Sequence, residues 1–168
     1  MKTKAALLPL LLMFISLSSY AQSRELLLGN VDKDHNWEKH SGLASVSYQG
    51  KHGFINKAGT VVIPLQYSLA YPFLNGMARV REGGSYTYGY INAKGILVIP
   101  FMYGQGTHFS ECGLAGVRKN DKWGYIDKEN NIIVPFEYSA AMPFFEGKAE
   151  VFKGIDRWMI DCDGKKIE

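Results

Sequence analysis

Apolar and polar positions along this chain recur in cycles. Each cycle begins with strict alternation. Ala44, Val46 and Tyr48 face one way and Ser45 and Ser47 the other, and a later copy sets Ala78 and Val80 against Arg79 and Arg81. Such alternation predicts a strand with one wet face. A second segment carries Ile55, Ile91, Ile126 or Ile160, with Gly53, Gly89 or Gly124 two residues earlier on the same face. A glycine inside a strand marks a bulge or a close backbone approach. The expectation here is a neighbouring unit or an aromatic ring packed over it. The third segment, Val61–Ile63, Leu97–Ile99 or Ile132–Val134, is apolar throughout. That predicts a strand covered on both faces.

The connections carry their own chemistry. Between the second and third segments lie Asn56-Lys57-Ala58-Gly59, Asn92-Ala93-Lys94-Gly95, Asp127-Lys128-Glu129-Asn130 and Asp161-Cys162-Asp163-Gly164. Asn or Asp at the first place accepts hydrogen bonds from turn amides, and Gly or Asn at the fourth tolerates positive φ. Each tetrad predicts a tight hairpin, which also explains the carboxylates without catalysis. Pro64, Pro100 and Pro135 follow the third segment and are expected to end the ladder, because proline donates no N–H. Beyond them, Tyr, Ala and Phe at spacing three, as in Tyr138, Ala141 and Phe144, suggest one helical turn over the sheet, its aromatics plugging the core.

These cycles are tandem repeats. Asn56, Asn92, Asp127 and Asp161 mark one place in four units, 36, 35 and 34 residues apart. Each unit opens with Gly-x-Ala-x-Val, at Gly42, Gly76, Gly113 and Gly147. The expected fold is therefore all-β: units of about 35 residues, three short antiparallel strands each, stacked as an array with degenerate caps. The units are 42–75, 76–112, 113–146 and 147–168. Residues 22–41 form an N-terminal cap or half repeat, with Leu26-Leu27-Leu28 where a preceding unit would place its third strand. In the last unit Arg157 and Trp158 replace the aromatic–glycine pair, so it reads as the other cap.

The start is of another kind. Lys2 and Lys4 precede an apolar run from Ala5 to Leu17, and Ser19-Tyr20-Ala21 follows. This is the pattern of a signal peptide over residues 1–21. The run falls short of the roughly 20 apolar residues of a membrane helix. Export to a periplasm or the outside is expected, without membrane insertion after cleavage. Without the leader the chain has 17 basic and 16 acidic residues, so it carries no basic footprint for nucleic acid. Asp32 to Asn36 begins like a calcium loop. Trp37 and Leu43 stand where that loop needs glycine and glutamate, so a solvated turn is the better reading. No cofactor, metal or catalytic set is legible.

The run Trp123-Gly124-Tyr125-Ile126-Asp127, with Ile133-Val134-Pro135, Tyr138, Ala141, Phe144, Glu146-Gly147, Ala149 and Val151, resembles the WG (KWG) β-repeat family. The likeness covers about residues 42–168. Only the third unit has the Trp-Gly pair; His52 and Tyr88 stand in for Trp in the first two. The resemblance implies an exported or surface protein of bacteria with a β-rich array. It transfers no catalytic residues.

Function is to be sought where the copies disagree. Glu82-Gly83-Gly84-Ser85-Tyr86 lengthens one hairpin by two residues, as a binding loop or a tolerated insertion. His108 replaces the proline of Pro72 and Pro143, and Cys112 is a one-residue insertion nearby. Cys112 and Cys162 in an oxidising compartment are candidates for a disulfide. The alternative for Cys112 is a nucleophile with His108 as base. Three functions follow: a non-enzymatic module binding an unidentified protein or envelope component, a glycan or peptidoglycan binder using Tyr71, Tyr86 and Tyr88, or a hydrolase.

Overall fold

A computed structural model of the protein describes residues 17–167. The expected leader lies outside them except for its last five residues, which open helix α1 (Leu17–Leu28). Fourteen strands follow in four antiparallel sheets. The first sheet holds β1 (Leu43–Tyr48), β2 (Lys51–Asn56) and β3 (Val61–Tyr67). The second holds β4 (Leu69–Ala70), β5 (Met77–Arg81), β6 (Tyr88–Asn92) and β7 (Leu97–Tyr103). The third holds β8 (Gln105–Gly106), β9 (Ala115–Lys119), β10 (Lys122–Ile126) and β11 (Ile132–Tyr138). The fourth holds β12 (Ala140–Ala141), β13 (Lys148–Lys153) and β14 (Asp156–Asp161). The fold is the all-β repeat array that the periodicity predicts.

Alternation dictates the stacking. The face of the first sheet bearing Phe54, Ile63 and Tyr67 packs on Ala78, Val80 and Ile91 of the second. Tyr90, Ile99 and Tyr103 of the second pack on Ala115, Val117 and Ile126 of the third. Tyr125, Val134 and Tyr138 then meet Ala149, Val151 and Ile160. One ring in each layer meets the connector phenylalanine: Phe54–Phe73 at 4.7 Å, Tyr90–Phe109 at 5.1 Å and Tyr125–Phe144 at 4.9 Å. Burying such a side chain contributes about 1.5–3 kcal/mol.

The hairpins have the predicted chemistry. Asn56 Oδ1 accepts the Ala58 and Thr60 amides, both at 3.0 Å, and Asp127 and Asp161 repeat this. Gly59, Gly95, Asn130 and Gly164 take φ of 79°, 78°, 69° and 79°.

Five expectations need correction. First, Gly53, Gly89 and Gly124 are approached by backbone of their own unit, not by a neighbour or a ring. A Cβ on Gly124 would lie 2.6 Å from the Val134 carbonyl oxygen, and one on Gly89 2.5 Å from that of Ile99. The cause is a bulge: a two-residue step along β2, His52 to Phe54, matches a four-residue step along β3, Tyr67 to Ile63. Second, the prolines do not end the ladder. Pro64, Pro100 and Pro135 sit exposed inside those bulges, in edge strands, where a missing N–H costs nothing. Third, the third strands are not covered twice. Within the apolar triplets only Ile63, Ile99 and Val134 enter the layers, while Val61 and Val62 stay 42% and 44% exposed. These strands are the outer ones of their sheets, and their other side is covered only further along, where Leu65, Phe101 and Phe136 pack towards the preceding layer.

Fourth, the connector makes no helical turn. Ala70, Gly106 and Ala141 belong to two-residue strands that pair with the next strand. Their neighbours' amides also serve that strand, as Ser139 and Met142 donate to Phe152 and Glu150. Tyr138 and Phe144 are buried plugs even so. Fifth, Leu26-Leu27-Leu28 ends a helix rather than forming a strand. Arg, Glu and Leu favour helix, and the segment has no β-branched residue. Its place is nevertheless that of a preceding unit. A Cβ on Gly95 would lie 3.3 Å from Ile63 and one on Gly164 2.8 Å from Val134, and one on Gly59 meets Leu28 at 2.8 Å.

Polar contacts also tie successive layers. His40 Nδ1 donates to the Phe73 carbonyl and Asn75 Nδ2 to that of Phe109, both at 2.7 Å. The Glu111 carboxylate accepts the Gly147 amide at 3.1 Å. Its own backbone amide and that of Gly147 lower the Glu111 pKa.

Two outcomes are expected. Gly124→Ala should cost about 1–3 kcal/mol of unfolding free energy through backbone displacement. Gly104→Ala, where the nearest atom is 3.9 Å away, should stay within about 0.5 kcal/mol. Equal effects in urea denaturation would contradict the close-approach account. The Glu111 pKa is lower folded than unfolded, so its stabilisation is present above the ordinary carboxylate pKa. It is lost as pH falls through the folded value. Glu111→Gln should therefore flatten the acid limb of stability against pH, and an unchanged limb would refute this.

Candidate functional site

The wet face of β5 holds the strongest constellation. Alternation that buries Ala78 and Val80 turns Arg79 and Arg81 the other way. Register then sets Arg81 opposite Tyr88 and Arg79 opposite Tyr90. The backbone beyond β4 brings Tyr71 in, because its amide donates to the Arg79 carbonyl at 3.0 Å. The third sheet closes the far side with Gln105, Gly106 and Trp123. These residues and Tyr71, Arg79 and Tyr88 line a shallow cleft of about 270 Å³ between the second and third sheets.

Arg79 is held by rings. Its guanidinium carbon lies 3.9 Å from the centroid of Tyr71 and 5.0 Å from that of Tyr88. Arg81 stands 5.8 Å from Tyr88 and donates from Nε to Ser68 Oγ at 3.3 Å. Arg79 Nε, by contrast, is buried without a hydrogen-bond partner. Beneath it, burial raises the Tyr90 pKa and the Arg79 charge partly opposes this. Tyr90 stays a neutral donor, giving its proton to the Thr107 carbonyl at 2.7 Å. Gly106 is required there, since a Cβ would collide with the Tyr90 hydroxyl.

A family model described as the WG containing repeat matches residues 53–86, 88–123 and 123–158. The chain belongs to this family. No curated protein and no solved structure matches it. The WG repeats begin at Gly53, Tyr88 and Trp123, so each runs from the second strand of one sheet into the first strands of the next. The cleft lies across that junction. Its Trp123 and Tyr88 occupy the tryptophan position of two successive WG repeats, which gives Trp123 a place at the cleft as well as in the scaffold.

The other residues singled out from the sequence are dispersed. Glu82 and Tyr86 lie on the long β5–β6 loop, with Tyr86 88% exposed. That loop is internally bonded, through Ser85 to Thr87 at 2.7 Å and Thr87 to the Phe101 carbonyl at 3.1 Å. His108 is exposed outside the cleft lining, and desolvation, with Arg79 next, lowers its pKa. Cys112 is joined to Cys162 with Cα atoms 5.8 Å apart, which removes the thiol that a Cys–His pair would use. Among the described residues no three His, Cys, Asp or Glu side chains gather as a metal set.

Sequence reasoning missed Arg79, Gln105 and Gly106. The signal was present: Ser45, Arg79, Gly116 and Glu150 hold one equivalent position in four units, and Tyr71, Thr107 and Met142 hold another. Reducing the disulfide, which links residues 50 apart in sequence, should lower stability by about 2–4 kcal/mol. Thermal melts with and without reductant, and alkylation mass shifts, measure this. Two free thiols in the untreated protein would contradict the bond.

Proposed function

We propose that this WG repeat protein is an exported, non-enzymatic module that binds cell-envelope material at the cleft between its second and third sheets. The single observation that carries this reading is convergence. Tyr71, Arg79 and Gln105 depart from their copies in other units, and all three line one concavity. Scaffold positions explain themselves by packing; these do not. The hairpin carboxylates of Asp127 and Asp161 are engaged by turn amides and Cys112 is in a disulfide, which favours binding over hydrolysis. Export rests on the leader pattern of residues 1–21.

The immobilised protein should retain a component of a bacterial envelope preparation. Arg79→Ser and Trp123→Ala should lose that retention, and Tyr86→Ala should keep it. Retention by all variants alike, or by none including the parent, would sink the reading. Protein recovered from the host should begin at Gln22; an intact Met1 form inside the cell would overturn export.

A further inference from the structure

The Arg79 head is anomalous for a structural residue. Among the described residues it makes no hydrogen bond and no ion pair, and its Nε is buried without an acceptor. A buried donor left without an acceptor is costly, because it has lost its hydrogen bonds to water and gained none. The rings of Tyr71 and Tyr88 hold the guanidinium without neutralising it. None of the residues lining the cleft is acidic. The result is a positioned, uncompensated cation in an aromatic concavity.

Resting on the binding role above, we propose that the ligand is a carboxylate-bearing saccharide, such as a polymer containing uronic acid. A guanidinium is a planar fork of donors that matches a carboxylate in two parallel hydrogen bonds. One such fork suits one monoanionic group. Trp123, across the cleft, offers a ring for the apolar C–H face of a pyranose, and the Gln105 amide offers a donor and an acceptor for hydroxyls. The volume, about 270 Å³, is at the low end for a small-molecule site and suits one or two sugar rings of a chain passing over the surface.

An acidic peptide fits less well. Peptides that add to a sheet need a row of unpaired backbone donors and acceptors. Here the Tyr71, Gly104 and Thr107 amides already donate to Arg79, Arg118 and Gly116 carbonyls. A neutral glycan would leave the Arg79 charge unmatched.

The test titrates the purified protein with an oligogalacturonate, its methyl ester and a glutamate-rich peptide, following Trp fluorescence and heat. The oligogalacturonate should bind, and the ester should bind about tenfold or more weakly, as loss of a charged hydrogen bond requires. Arg79→Gln should match that loss, whereas Tyr86→Ala should bind as the parent. Arg79→Lys, which keeps charge and fold but not the fork, should fall between. Equal binding of acid and ester, or binding of the peptide alone, would overturn the proposal and leave the cleft as a binding site. Failure of all three probes, with envelope retention still dependent on Arg79, would also overturn it and spare the broader reading. Retention independent of Arg79 would remove both.

Discussion

The structure depends on one repeated contact: an aromatic ring of one sheet set against small and β-branched residues of the next. Phe54, Tyr90 and Tyr125 are each at most 1% exposed and hold this position in three layers. Two of them add a hydroxyl, which donates to the Thr107 and Met142 carbonyls at 2.7 and 2.6 Å. A three- or four-stranded sheet this short depends on what packs over its apolar face. Stacking gives each inner sheet two covered faces, as expected for a repeat array. Among the described residues no sheet precedes the first, and α1 with Leu27 and Leu28 covers its Ala44, Val46 and Ile55 face. The glycines follow from the same geometry. A β3-type strand that bulges back over β2 leaves no space for a side chain at Gly53, Gly89 or Gly124. In the last unit Trp158 fills that slot and packs on Tyr138, with ring centroids 5.9 Å apart.

The parts of the fold legible in the sequence were those governed by local chemistry. Alternation placed β1, β5 and β9, and Asn or Asp with Gly or Asn identified every β2–β3-type hairpin. What stayed hidden depended on partners distant in sequence. Pro64 reads as a strand stop, yet an edge bulge accommodates it. Tyr138, Ala141 and Phe144 have helical spacing, yet the following strand takes their backbone hydrogen bonds. Leu26–Leu28 sits at the offset of a third strand, and helix-forming neighbours decide its conformation. Spacing alone could not assign these outcomes, because each depends on which backbone lies alongside.

The site was legible only in part, for a related reason. Tyr88 and Tyr71 drew attention as aromatics without counterparts in every copy. Arg79 appeared only as the polar half of an alternating strand, which is what most solvated arginines are. Its distinction comes from surroundings: two rings, a buried Nε without an acceptor, and a neighbouring unit presenting Trp123. Scaffold and site are thus separable in principle. The rings and glycines that build the layers recur, whereas Tyr71, Arg79 and Gln105 in the cleft do not.

The most direct test of that separation is to write other units' residues into the cleft. Tyr71→Thr and Arg79→Ser together install what Thr107 and Ser45 provide elsewhere in the array. Urea denaturation of this double variant, read beside its retention of envelope material, measures both halves at once. Stability within about 1 kcal/mol of the parent with retention abolished is the predicted result. A variant that unfolds, or one that is stable and still binds, would contradict the account.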